Sequence, residues 1–122
     1  HDPFSVWGDG KDIKDFLYIS DFIEGMLLAM EKCITSEPIN IASGVPVDLR
    51  EVIRLILKAS GHEHAKVEFD ATKPTMIPKR LIDISMMKNV LSFEPKVTLA
   101  EGLSATIAWY RDYFRGKTPE DL

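Results

Sequence analysis

Three times along the chain, an aspartate or threonine stands three residues ahead of a glutamate and directly before an apolar stripe. The pairs are Asp21 with Glu24, Asp48 with Glu51, and Thr98 with Glu101. Such a pair satisfies free amides at a helix start, so each marks an N-terminus. The stripes run Phe22, Ile23, Met26, Leu27, Met30, then Leu49, Val52, Ile53, Ile56, Leu57, then Leu99, Leu103, Ile107, Tyr110, Phe114. Their spacing is helical. The first helix is expected to end near Cys33, and Gly61 is a good stop for the second. Asp83 or Ser85 would cap a shorter helix carrying Met87, Val90 and Leu91, and Pro95 precedes the last one.

Between these helices there is room only for short strands. Phe4 to Trp7, Asp15 to Ile19, Pro38 to Ile41, Lys66 to Phe69 and Arg80 to Ile82 have the β-branched or aromatic content of such runs. Gly8 to Lys14 reads as a loop, Ser43-Gly44 as a turn, and Pro74 and Pro78 bracket another loop. The expectation is an α/β class: one small mixed domain over residues 1–122, with about four helices and several short strands. No repeat, low-complexity tract or domain linker interrupts it. The tail from Gly116 is polar and is expected to fray.

A chain of 122 residues can bury one real core. Its net charge of −4 argues against a bulk attraction to nucleic acid or an anionic membrane, so any anion site must be a local cluster. The single cysteine, Cys33, rules out an internal disulfide and fits a reducing, cytoplasmic setting. It reads as a small helix-end residue. No apolar run approaches the ~20 residues of a membrane span, and no signal peptide opens the chain. The start at His1-Asp2-Pro3 reads as if cut from something longer.

The residues that could carry chemistry are few. No G-x-G-x-x-G or G-x-x-G-x-x-G opens a βαβ unit, and no P-loop lysine motif is present. His1, His62 and His64 have no partners at metal-ligand spacing, so no metal is expected. No Ser-His-Asp or Cys-His set stands out, and no catalytic residue is assigned. What remains are cations on loops: Lys14, Lys73, and Lys79-Arg80. A diphosphate is gripped by two or three such cations converging from different segments. The same residues also suit a solvated surface. Trp7, beside Gly8 at a strand end, suits either stacking on a planar ligand or the core.

The run "VWGDGKDIKDFLYISDFIEGMLLAME" resembles a stretch of the extended short-chain dehydrogenase/reductase superfamily, which includes nucleotide-sugar epimerases, dehydratases and GDP-fucose synthases. There an aromatic and G-D-G precede an arginine, then D-F-(L/I)-Y-V. "VEFDATKPTMIPKRLIDISMMKNVLSFEPKVTLAEGLSATIAWY" is similar to the superfamily's C-terminal signature, and "PINIASGVPVDLREVIRLI" matches between them. The resemblance runs from about Phe4 to Phe114. It implies the C-terminal substrate-binding part of a Rossmann-type enzyme, whose N-terminal domain would bind NAD or NADP and hold the catalytic Tyr-x-x-x-Lys. That Rossmann domain is missing from this chain.

By that resemblance the substrate-binding residues are Trp7 at the base, Lys14 and Lys73 at the diphosphate, and Arg80 as the second basic residue of a P-R-R pair. The glycine turn would be scaffold, with the anion contact at Lys14. Two positions depart from the pattern. Lys14 stands where arginine is usual, which keeps charge but loses the fork. Thr75-Met76 stands where Asp-Gly is usual.

The implied partner is a nucleotide sugar, in an NAD(P)-dependent epimerase or dehydratase of carbohydrate biosynthesis. A GDP-fucose-synthase-like 3,5-epimerase/4-reductase is the runner-up, and a non-catalytic nucleotide-binding or assembly module the third reading. The fragment alone would be inactive and would bind no cofactor. The parent would be a homodimer through Rossmann-domain helices, and removal of that domain would leave an apolar face exposed.

Overall fold

The computed structural model describes residues 3–34, 36–75 and 77–116. His1, Met76 and the tail beyond Gly116 lie outside the described residues. Strand β1 (Phe4–Trp7) leads through the glycine turn to a two-residue strand β2 (Ile13–Lys14) and then to helix α1 (Ile19–Lys32). Next come β3 (Val47–Asp48), helix α2 (Leu49–Ser60), β4 (Val67–Asp70), a π-helical turn (Met87–Leu91) and helix α3 (Leu99–Tyr113). β1 pairs in parallel with β4, with Phe4 opposite Val67 and Trp7 opposite Asp70. β2 pairs antiparallel with β3, with Ile13 opposite Asp48. The mixed α/β architecture expected from the sequence is present.

Several boundaries differ, each for a physical reason. The strand expected at Asp15 to Ile19 is displaced to Ile13–Lys14, because Asp15 turns its carboxylate onto the 43–44 turn. Its Oδ1 accepts from the Ser43 amide at 2.9 Å and hydroxyl at 2.7 Å, and its Oδ2 from the Gly44 amide at 2.8 Å. Asp21 is not an N-cap. The helix already begins at Ile19 with Tyr18 as cap, and Asp21 is buried at 2% exposure. Its Oδ2 instead accepts the amides of Lys96 at 3.1 Å and Val97 at 2.9 Å, while Glu24 pairs with the Lys96 ammonium at 2.6 Å. Pro38 to Ile41 has no β partner among the described residues. The strand placed at Arg80 to Ile82 reduces to one bridge, Ile13 with Lys79. Lys66 to Phe69 slides by one residue to Val67–Asp70. The short helix near Met87 is wound as a π turn closed by Ser92 in the left-handed region.

Other signals act as read. Asp48 caps α2 by accepting the Glu51 amide at 2.8 Å, although the Glu51 carboxylate turns to Arg54 at 2.6 Å rather than back to the cap. Gly61 ends α2 at φ 77°, a conformation that disfavours any residue with a Cβ. Cys33 is the half-buried C-cap of α1, its amide bonded to the Ala29 carbonyl. Thr98 and Glu101 form a reciprocal capping box at α3.

The core sits between α1 and the π turn. Met87 and Leu91 are fully buried and Phe93 nearly so, with Leu28, Ala29, Cys33, Ile39, Ile41 and Ile84 packed around them. Val52 and Ile53 of α2 are buried as well.

Hydrogen bonds from the Thr98 hydroxyl and then the Thr98 amide hold the Glu101 carboxyl below its ordinary value. In the unfolded chain it returns to that value. The stability tied to this link is complete above the ordinary glutamate range and is lost as pH falls through the lower folded value. Thr98→Ala removes the cap that initiates α3 and is expected to cost about 1 kcal/mol. It also flattens the acid side of a plot of Tm against pH, which thermal unfolding followed by circular dichroism at pH 3 to 7 would check.

Candidate functional site

The turn after β1 is built by two glycines with positive φ, Gly8 at 87° and Gly10 at 75°. Asp9 between them accepts the Lys11 amide at 2.9 Å through Oδ1, and its Oδ2 lies 3.6 Å from the Lys11 ammonium. Gly10 has a second reason to lack a side chain. A Cβ there would stand 2.4 Å from the Phe69 ring and 2.7 Å from Arg50 Cγ.

Beyond the turn, β2 is flanked on two sides. The Leu49 amide bonds to the Asp12 carbonyl at 3.0 Å and the Arg50 amide to the Gly10 carbonyl at 3.1 Å, so the start of α2 grips the loop from one side. On the other side, the Ile13 amide donates to Pro78 at 2.8 Å and the Arg80 amide to Ile13 at 2.9 Å. Lys14 and Arg80 therefore sit directly after paired residues on neighbouring segments.

Beside these contacts lies an open cleft of about 330 Å³ whose lining includes Gly8, Asp9, Lys11, Asp12, Lys73 and Thr75. Of the four sequence-assigned residues, only Lys73 lines it. Trp7 is 63% exposed at the end of β1 and lies outside the core of the described residues. The Lys14 ammonium donates to the Ile77 carbonyl and lies 3.4 Å from Asp12 Oδ2. An ammonium has three donors, and Lys14 arrives with these two partners in place. The Arg80 side chain is exposed and makes no hydrogen bond or ion pair among the described residues.

Electrostatically the cleft is mixed. Lys11 and Lys73 bring positive charge, Asp9 and Asp12 negative. Asp70 stands at the end of β4, where the Thr72 hydroxyl, then the Thr72 amide and the Lys73 charge hold its carboxyl below the ordinary range. Asp9 is likewise lowered, first by its bond from the Lys11 amide. Both are ionised at neutral pH, so an anion entering here competes with carboxylates for the lysines.

Lys11 and Arg50 are the residues of this region that the sequence reading did not assign. Lys11 could have been found from its place inside the glycine turn. Arg50 carried no signal, because an arginine in the first turn of an amphipathic helix ordinarily faces water. Among the described residues no group of three or more metal-binding side chains converges, and no helix is long and apolar enough to cross a membrane.

A short parallel strand pair, a glycine turn gripped by the start of α2, and the basic residues Lys73, Lys79 and Arg80 flanking Pro74 and Pro78 make up this region. The family model that matches residues 1–106 is that of GDP-mannose 4,6 dehydratase, and the chain belongs to this family, within the extended short-chain dehydrogenase/reductases. GDP-L-fucose synthase 1 of Arabidopsis thaliana is 36% identical over 105 residues, which cover 86% of this chain and 32% of that protein. The UDP-N-acetyl-alpha-D-glucosaminuronate decarboxylase of Bacillus cytotoxicus is 34% identical over 116 residues, 91% of this chain and 36% of that one. Among solved structures, the UDP-glucuronic acid 4-epimerase of Bacillus cereus, in complex with UDP-glucuronic acid and NAD, superposes with a TM-score of 0.79. It is 31% identical, over 91% of this chain and 36% of that one. The UDP-glucose 4-epimerase of Thermotoga maritima, with UDP-glucose, gives a TM-score of 0.81 at 29% identity, over 92% of this chain and 36% of that one. The chain thus spans about a third of the length of the relatives it matches.

Proposed function

We propose that this chain is the nucleotide-sugar-binding part of an NAD(P)-dependent epimerase or dehydratase, with Trp7, Lys14, Lys73 and Arg80 as its substrate contacts. The observation that carries the reading is the junction of β2 with the 78–80 segment, which brings the backbones bearing Lys14 and Arg80 together beside the cleft holding Lys73. Cations from three segments around one loop suit a diphosphate bridge. Trp7, exposed at the strand end, offers a face for a base. The sequence relatives favour a GDP-fucose-synthase-like reductase as the second reading, while the epimerase structures favour the first.

NAD(P) does not fit the residues described here. A dinucleotide turn runs from a strand into a helix N-terminus, whereas Gly8–Gly10 runs into β2 and is closed by Phe69 and Arg50. The cofactor, which supplies hydride transfer when bound, is therefore assigned to the rest of the polypeptide. The exposed stripe of α1 supports such a second part. Ile19, Ile23, Met26, Leu27 and Met30 recur at helical spacing, and each is 43% to 78% exposed. A face of that kind is ordinarily covered.

Titration calorimetry with UDP-, GDP-, CDP- and dTDP-sugars tests the reading. Binding of one base class is expected, with Lys14→Glu and Arg80→Glu each weakening it by about 1.5–3 kcal/mol per lost charge-assisted bond. Unchanged affinity in both variants would remove these residues from the site. Binding without turnover by the protein at its natural length would favour a non-catalytic module.

A further inference from the structure

We infer that Arg50 is a positioning residue for the nucleotide site: from behind the cleft it fixes the Gly8–Lys14 loop in the shape that presents its cations. This rests on the nucleotide-sugar reading and adds a residue to it. Arg50 is not among the residues lining the cleft. Its guanidinium donates twice to one acceptor, the Asp9 carbonyl, from Nε at 2.9 Å and Nη2 at 2.7 Å. The guanidinium carbon lies 5.1 Å from the centre of the Phe69 ring, and the stem packs against Gly10. The backbone amide of the same residue holds the Gly10 carbonyl. One residue thus grips two consecutive carbonyls of the turn and is itself seated on a ring of β4.

The consequence is electrostatic as well as mechanical. A carbonyl oxygen facing a diphosphate repels it. The fork engages the Asp9 carbonyl from the α2 side, so that this oxygen adds nothing to the negative charge that Asp9 and Asp12 already set against Lys11 and Lys73 in the cleft. A planar fork fixes one oxygen at two points, which a lysine cannot do. Loosening this grip frees the segment between β1 and β2 and, with it, the approach of Lys14 to its ligand.

The test uses the protein at its natural length with Arg50→Met and Arg50→Lys. Methionine keeps an aliphatic stem for Phe69 and loses both donors, and lysine restores the charge with a single point of contact. Amide hydrogen exchange should rise roughly tenfold or more over residues 8–13 in Arg50→Met and remain unchanged in the core around Leu91. Affinity for UDP, GDP, CDP or dTDP, whichever the unaltered protein binds, should fall about tenfold in Arg50→Met and recover in part in Arg50→Lys. Loop exchange at the unaltered rate, or equal nucleotide affinity in the methionine variant, overturns the inference while the nucleotide reading stands. If the unaltered protein binds none of the four diphosphates, the nucleotide reading itself fails, and the role of Arg50 in ligand binding falls with it.

Discussion

Replacing the buried Asp21 by alanine is expected to lower the unfolding free energy by about 3 kcal/mol, since two half-buried amides each lose a charged acceptor. The carboxylate is 2% exposed and reaches from the first turn of α1 to the Lys96 and Val97 amides, immediately ahead of α3. No other contact described here ties the start of α1 to the entry of α3 through a buried charge. Alanine leaves both half-buried amides without their charged acceptor. Asparagine keeps an acceptor oxygen and should recover part of the loss. Urea unfolding of the two variants, followed by circular dichroism, checks the order. Equal midpoints for alanine and the unaltered protein would mean that the 96–97 segment finds another acceptor.

Leu91→Ala is expected to cost about 3–4 kcal/mol, through lost apolar burial and the cavity left behind. Leu91 and Met87 are fully buried and, with Phe93, form the centre against which α1 packs. The Leu91 carbonyl also receives the Lys32 ammonium at 2.6 Å, so the π turn is fastened to the far end of the same helix. Collapse into the cavity is therefore resisted from both ends. Leu91→Met conserves volume and should cost less than about 1.5 kcal/mol. Chemical denaturation of the pair separates loss of packing from loss of the turn.

What the sequence disclosed about this molecule follows the range of its interactions. The Thr98–Glu101 box and the Gly61 stop were legible because the groups involved are a few residues apart and satisfy each other. Asp21 was misread for the opposite reason. It has the right type and spacing for a cap, but its partners lie beyond residue 90 and no local pattern reveals them. Asp15 is the same case, recruited by Ser43 and Gly44 away from the strand its neighbours suggested. The π turn was expected as a helix because Met87, Val90 and Leu91 have helical spacing, and an extra residue per turn leaves little trace over so short a run. At the candidate site, Lys14, Lys73 and Arg80 stood out in the sequence as loop cations, and the motif resemblance gave them their proposed roles. Arg50 was invisible because its role depends on the fold of a loop forty residues earlier in the chain.

The parallel union of β1 with β4 also bears on the order of assembly. Phe4 to Trp7 meets Val67 to Asp70 only after all the intervening chain has been made and looped back. Closure over such a separation is entropically expensive and slow compared with winding α1 or α2. The glycine turn hangs from the end of that strand pair, so it is among the last parts to set during refolding. A pulse-labelling experiment would see amides of α2 protected well before those of residues 8–13.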